Sequence, residues 1–127
     1  MRLILDTNVL IHGLVPTDGD DEAAISIATL AELRFGVMVA RTPEARAARM
    51  RVLSSAEVAL AALPVDDAVA SSYALLAAKT VTAGRRPRAR VFDLLIAATA
   101  HAHGAVLVTK NRGDFAGLDD LLEVRAP

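Results

Sequence analysis

Two short apolar runs that end abruptly in polar residues constrain the fold of this chain more than any other feature. Arg2–Leu5 leads directly into the polar triplet Asp6–Asn8, and Ala105–Thr109 leads into a second polar segment. Uninterrupted apolar runs of this length are typical of strands buried on both faces, as in parallel sheets covered by helices. The sequence therefore predicts an α/β fold with a central, mostly parallel sheet and helices on both of its faces.

The segments between these runs alternate between helix and strand patterns, as such a fold requires. Pro64 lies inside a weak strand candidate and favours an edge position for it. Thr29 and Glu32 have the spacing of a capping box, and Asp66 is a typical helix N-cap. The predicted helices are Val9–Leu14, Thr29–Ala40, one from Thr42 to about Ser54 or beyond, Asp66–Ala83 and Val91–His103. The other predicted strands are Ala24–Ala28, Ala59–Val65 and Leu122–Arg125, and Pro16–Glu22 is a predicted loop.

Composition narrows the possible functions. The 127 residues suffice for one domain, which we expect to span residues 1–127. With 14 basic and 15 acidic residues the net charge is −1, so any contact with nucleic acid must be local. The absence of cysteine excludes zinc–thiolate sites and cysteine nucleophiles, and the 3% aromatic content leaves few platforms for base stacking. No secretory or membrane-spanning segment is visible, so we expect a cytoplasmic protein.

Two aspartates are expected at the edge of the predicted sheet where ligands collect. Asp6 ends the first strand, and Asp114 follows the Ala105–Thr109 strand within a few residues. Ligands of open α/β sheets bind outside the carboxyl ends of the strands. Both side chains are therefore candidates for a functional site.

Two further acids share helical stripes with apolar residues. Glu32 lies on the same stripe as Phe35 and Val39, and we therefore expect it to face the core side of its helix. Asp93 begins a helix and shares its stripe with Ile96 and Ala100. Several carboxylates brought together need a positive partner, because burial and mutual repulsion both disfavour their charged forms.

A divalent cation is the partner that these residue types favour. Only oxygen ligands are available, which selects Mg²⁺ or Mn²⁺, and such ions at an open crevice commonly serve phosphodiester hydrolysis. Each acid also has a purely structural explanation. Asp6 can cap a helix, Glu32 can complete the capping box, Asp93 can interact with a helix dipole, and Asp114 can lie in a solvated loop.

A basic loop precedes Asp93. Its guanidinium groups suit phosphate oxygens, so the loop is a candidate RNA contact, although it also complements the dipole of the preceding helix. The three histidines are weaker candidates. His101 and His103 lie at a predicted helix C-terminus, where histidine is favoured electrostatically, and His12 lies near the Asp6 loop. The basic residues of the loop are Arg85, Arg86, Arg88 and Arg90.

Together these segments resemble the successive motifs of PIN-domain ribonucleases. The motifs are Leu3–Asn8, Thr29–Leu33, Asp93–Ala98 and Val108–Phe115, and they cover nearly the whole chain in order and spacing. More narrowly, the chain resembles VapC toxins of type II toxin–antitoxin modules. The resemblance implies a PIN-like fold and metal-dependent cleavage of single-stranded or loop regions of RNA.

The resemblance also implies a role for individual residues. Asp6, Glu32, Asp93 and Asp114 fall on acidic positions that bind one or two Mg²⁺ or Mn²⁺ ions in the family. Thr7, Asn8 and Thr109 match polar neighbours that orient those acids. A cognate VapB-type antitoxin inhibits such toxins by inserting a segment into the groove, and homodimers or toxin–antitoxin hetero-oligomers are common.

Two other interpretations remain open from the sequence. A Mg²⁺ phosphatase of the haloacid-dehalogenase type also begins with an acid at the end of its first strand, but it needs a second Asp where this chain has Asn8. A catalytically idle module that binds protein partners through its Ala-rich helices is the non-enzymatic alternative.

Overall fold

A five-stranded, entirely parallel sheet forms the centre of the molecule. The structure is a computed structural model that describes residues 1–13 and 19–127. The strand order is β3-β2-β1-β4-β5, and every neighbouring pair is parallel. This arrangement confirms the predicted α/β fold, including the edge position of the Pro64-containing segment. The strands are β1 Arg2–Leu5, β2 Glu22–Ser26, β3 Ala61–Leu63, β4 Val106–Val108 and β5 Val124–Arg125.

Helices connect the strands. The α-helices in the described part of the chain are α1 Thr7–Ile11, α2 Ile27–Met38, α3 Pro43–Ala59, α4 Asp67–Thr82 and α5 Val91–Ala102. Two short 3₁₀ turns lie at Pro87–Arg90 and Arg112–Phe115. Thr42 caps α3 ahead of Pro43, and Asp66 caps α4, as their sequence signals predict. In the described part of the chain, no helix is long and apolar enough to cross a bilayer.

The two faces of the sheet carry separate hydrophobic cores. In β1, Leu3 and Leu5 point into one core with α1, α2 and α3, whereas Ile4 points into the other, which α4 and α5 cover. Successive strand residues face opposite sides of a sheet, so a run that is apolar throughout is buried on both. The predicted covering of both faces is therefore confirmed.

Several predicted boundaries are wrong, and the start of α2 matters most. Ser26, not Thr29, caps this helix, because its hydroxyl group accepts a hydrogen bond of 3.1 Å from the Ala28 backbone N–H. The predicted capping box is therefore wrong, and Glu32 lies beyond the first turn. Strand β2 begins at Glu22, inside the predicted loop Pro16–Glu22.

The prediction for the start of that loop, and for the last residue of the helix Val9–Leu14, falls outside the described residues. Within the described part, helix α1 begins at Thr7, two residues earlier than predicted, and ends at Ile11.

The sheet has one topological switch point, between β1 and β4. From β1 the chain proceeds to β2 and β3 on one side and later to β4 and β5 on the other. The loops that leave β1 and β4 at their carboxyl ends therefore diverge, which opens a crevice in folds of this kind. Asp6 follows β1 and Thr109 follows β4, so both residues lie at this crevice.

Candidate active site

Asp6 is held at the switch point by hydrogen-bond donors from both diverging segments. Only 5% of the residue is exposed. Its Oδ1 accepts a hydrogen bond of 2.8 Å from the Thr7 backbone N–H, and its Oδ2 accepts one of 2.8 Å from the Thr109 hydroxyl group. Its own N–H donates to Val108 O at 2.9 Å, which continues the β1–β4 pairing. Asp6 is thus both the cap of α1 and a fixed carboxylate at the switch point.

The Asn8 side chain ties the same two segments together. Its amide Nδ2 donates to Asp6 Oδ2 at 3.2 Å and to the Thr109 Oγ1 at 3.3 Å, while its Oδ1 accepts from the Lys110 N–H at 3.1 Å. These partners fix the orientation of the amide group, whose nitrogen has to face the carboxylate. An amide held in this way orients Asp6 and has no proton to exchange with a leaving group. The phosphatase alternative needs an acid at this position and so loses its support.

Glu32 reaches the crevice through a pair of threonines. The Thr7 hydroxyl group donates to Glu32 Oε1 at 2.8 Å and lies 3.1 Å from the hydroxyl oxygen of Thr29, which is fully buried. Thr29 and Glu32 are three residues apart on α2, so both side chains lie on one face of the helix. Sequence reasoning missed Thr29 as a site residue because it assigned it to the helix cap, although this spacing was already visible.

The predicted environment of Glu32 is wrong. The residues that share its stripe, Phe35 and Val39, are 67% and 48% exposed, because α2 buries Leu30 and Leu33 instead. Glu32 therefore lies at the border between the core and an exposed apolar surface. The corresponding prediction for Asp93 is confirmed, since Ile96 and Ala100 on its stripe are fully buried.

The acids influence one another electrostatically. Burial raises the pKa of Asp6, and the nearby Asp114 raises it further, against the lowering effect of hydrogen bonds that include that of Thr109. Burial also raises the pKa values of Glu32 and Asp93, and in both cases the charge of Asp6 adds to the effect. Carboxylates repel one another measurably only when they are close together, so the four acids of the sequence analysis form one cluster.

Asp93 is the least satisfied member of this cluster. It lies in the first turn of α5, and none of the described residues donates a hydrogen bond to its carboxylate. Burial and repulsion from Asp6 and Asp114 raise the pKa of Asp93. The charge of Arg90 opposes this rise only in part. A carboxylate with free lone pairs beside other acids is suited to binding a cation.

Two arginines of the basic loop hold Asp114 in place, mainly through its backbone oxygen. Arg90 Nη1 donates to the Asp114 backbone oxygen at 2.7 Å and lies 3.8 Å from its Oδ1, while Arg85 donates to the backbone oxygens of Asp114 and Gly113 at 3.2 and 3.3 Å. Two of the four arginines therefore brace the 3₁₀ turn that carries Asp114. Arg86 and Arg88 are exposed, and neither is paired with another described residue.

The cluster fits a hard divalent cation in its chemistry and in its openness. Its donors are carboxylate oxygens supported by hydroxyl and amide groups. In the described part of the chain, no group of three or more His, Asp or Glu side chains could hold a metal ion as they stand, so the protein supplies at most an incomplete cage. Mg²⁺ commonly binds through one or two carboxylates and keeps water or substrate oxygens as its other ligands, so an incomplete cage is compatible with it.

The histidines lie apart from this cluster. The Nδ1 atom of His101, at the far end of α5 from Asp93, is 2.8 Å from the hydroxyl oxygen of Ser72. This pair links α4 to α5 and has no carboxylate partner among the described residues.

Comparison with known proteins identifies the family of this chain. Residues 3–121 match the sequence profile of the family described as the PIN domain. The chain is 38% identical over 130 residues to ribonuclease VapC5 of Mycobacterium tuberculosis, in an alignment that spans 95% of this chain and 90% of that protein. The chain therefore belongs to the PIN-domain family, and within it to the VapC ribonucleases.

Solved structures show the same fold. The crystal structure of VapBC-5 from Mycobacterium tuberculosis, a member of the VapBC family of toxin–antitoxin systems, matches with a TM-score of 0.80 and 39% identity over 98% of this chain and 96% of that one. FitAcB from Neisseria gonorrhoeae matches with a TM-score of 0.75 and 28% identity over 97% and 96% of the two chains. The similarity thus extends over nearly the whole length of the chain.

Proposed function

We propose that this chain is the toxin of a type II toxin–antitoxin module, an endoribonuclease that needs Mg²⁺ or Mn²⁺ to hydrolyse phosphodiester bonds of RNA. One observation carries the proposal. Acids from the end of β1, from the 3₁₀ turn after β4 and from helices α2 and α5 converge near the switch point of the sheet, where burial and mutual repulsion raise three of their pKa values. A divalent cation relieves this repulsion and is the usual apparatus of phosphodiester hydrolysis.

The side chains have different parts in this proposal. Asp6 and Asp93 would bind the cation directly, since the first is fixed by three hydrogen-bond donors and the second has free lone pairs. Glu32 and Asp114 would act through water or hold a second ion. When bound, the cation supplies charge stabilisation at a phosphate oxygen and activates water for attack on phosphorus. Thr7, Asn8 and Thr109 orient the acids and keep their lone pairs directed into the crevice.

The first experiment is incubation of the purified chain with total RNA in Mg²⁺, in Mn²⁺ or in EDTA, followed by mapping of the RNA ends. We expect metal-dependent cuts. Asp6→Asn and Asp93→Asn should each reduce cleavage by about 100-fold or more, because loss of a ligand costs more than loss of an outer hydrogen-bond partner. Circular dichroism should show that both variants remain folded. Unchanged cleavage by both variants would reject the assignment.

A VapB-type antitoxin is the proposed partner. The supporting observation is that the structural neighbours at 39% and 28% identity are described as a VapBC member and as FitAcB. We expect the product of a small reading frame beside the gene for this chain to copurify with it and to inhibit cleavage at a stoichiometric ratio. Cleavage that persists at an excess of every neighbouring small protein would remove the antitoxin from the proposal.

A further inference from the structure

Two of the three phenylalanines in this chain are exposed beside the acid cluster. Phe35 is 67% exposed and Phe92 is 43% exposed, whereas Phe115 is only 2% exposed and belongs to the core. The single tyrosine, Tyr73, packs against the core as well. The exposed aromatic rings of this aromatic-poor chain are therefore confined to one region.

Each exposed phenylalanine is adjacent to a candidate metal ligand. Phe35 lies three residues after Glu32 on α2, and Phe92 directly precedes Asp93 in the first turn of α5. The two helices contact each other. With Glu32 and Ala31, the two rings line one cavity of about 580 Å³. A group in this cavity would contact both aromatic rings and an acid of the cluster.

The position of the two rings beside the acid cluster, rather than their exposure alone, indicates what occupies the cavity. Single exposed hydrophobic residues are common on protein surfaces and need no ligand. A phosphodiester bound at the acids carries a nucleobase on each adjoining sugar, so a base must lie within one nucleotide of the cluster. Proteins that read single-stranded RNA commonly stack unpaired bases on aromatic side chains. The cavity between Glu32 and the two rings is the aromatic surface within that reach.

We propose that Phe35 and Phe92 form a stacking platform for an unpaired nucleobase next to the scissile phosphate. The inference rests on the proposed ribonuclease activity and names the part of the substrate that these residues contact. Stacking needs the flat face of an aromatic ring, whereas a peptide segment would need only apolar surface. This difference separates an RNA base from an antitoxin segment as the occupant.

The test uses a short unstructured RNA that contains one cleavage site mapped in total RNA. Phe35→Leu and Phe92→Leu preserve apolar surface but remove the flat ring, while Phe35→Trp and Phe92→Tyr preserve the ring. We expect each Leu variant to raise KM about 10-fold or more with a smaller change in kcat, and each aromatic variant to stay near wild type. Mn²⁺ affinity and Tm should not change. Met38→Ala is the matched control, since Met38 is 77% exposed on the same helix.

The outcomes separate this inference from the activity on which it rests. If Asp93→Asn abolishes cleavage but the Phe35→Leu/Phe92→Leu double variant cleaves with the wild-type KM, the ribonuclease proposal stands and the stacking platform is overturned. If, in addition, the Phe35→Ala/Phe92→Ala double variant binds the antitoxin more weakly, the cavity is a peptide-docking surface. If the wild-type chain cleaves no RNA in any metal, both proposals fall.

Discussion

The Thr109 hydroxyl group serves three partners from a fully buried position. It donates to Asp6 Oδ2 at 2.8 Å and accepts from Asn8 Nδ2 at 3.3 Å and from the Asn111 N–H at 3.1 Å. Its bond to Asp6 lowers the pKa of that carboxyl group against the larger effect of burial. One hydroxyl group therefore helps to keep Asp6 ionised and joins the two loops of the switch point.

We expect Thr109→Val to weaken both the fold and the site. The change keeps the shape of the side chain but leaves buried polar groups without a partner, which costs about 1–3 kcal/mol in the free energy of unfolding. The pKa of Asp6 should rise further, so the acid limb of the pH–rate profile should move to higher pH. Chemical denaturation and pH-dependent cleavage assays measure the two effects. Thr109→Ser should restore both, and a Ser variant as impaired as Val would show that the methyl group matters instead.

The sequence predicts some site residues for reasons that the structure supports, and others for reasons that the structure contradicts. Asp6 could be placed because a strand end is visible as the point where an apolar run stops, whereas Thr109 enters as a site residue only through the family resemblance. Glu32 was identified with a wrong cap and a wrong core-facing stripe, because a single sequence does not show which face of an apolar helix is buried. The role of Arg85 could not be predicted, since its partners are backbone oxygens of a turn 28 residues and more away in the chain.

At the scale of elements, the basic loop and the 3₁₀ turn Arg112–Phe115 form one structural unit. Arg85 and Arg90 converge on the backbone oxygen of Asp114, so the loop before α5 determines where the turn after β4 lies. Charge-assisted hydrogen bonds of this type are stronger than neutral ones. The predicted RNA-contacting loop is therefore divided, with Arg85 and Arg90 facing the turn and Arg86 and Arg88 facing solvent.

This division predicts different effects for neighbouring arginines. Arg85→Ala should loosen the turn, seen as faster hydrogen exchange at 112–116, and should lower Mn²⁺ affinity about 10-fold, as expected for a residue that orients a ligand from outside. Arg86→Ala should leave Mn²⁺ affinity unchanged but weaken RNA binding and reduce its salt dependence by about one counterion. Equal effects of the two substitutions on Mn²⁺ affinity would contradict the division.

At the scale of the whole molecule, the acid cluster makes stability and function oppose each other. Both hydrophobic cores approach the crevice, and burial by them is the main cause of the raised pKa values. A carboxyl group whose pKa is higher in the folded state binds more protons there, so stability falls as pH rises through that range. This loss of stability is absent at a pH below the unfolded-state pKa values, which are 3.8 for Asp and 4.5 for Glu. It is complete at a pH above the raised pKa values of the folded state.

We therefore expect Asp93→Asn to raise Tm at neutral pH in EDTA, since it removes one of the repelling charges and no described residue donates to the carboxylate that is lost. Mn²⁺ should raise the Tm of the wild-type chain more than that of the variant, because binding to the folded state adds stability in proportion to affinity. Thermal denaturation with and without Mn²⁺ measures both effects. Asp119→Asn is the matched control, because it removes the same charge from an exposed position outside the cluster. A lower Tm for Asp93→Asn in EDTA would show that repulsion within the cluster does not limit the stability of the fold.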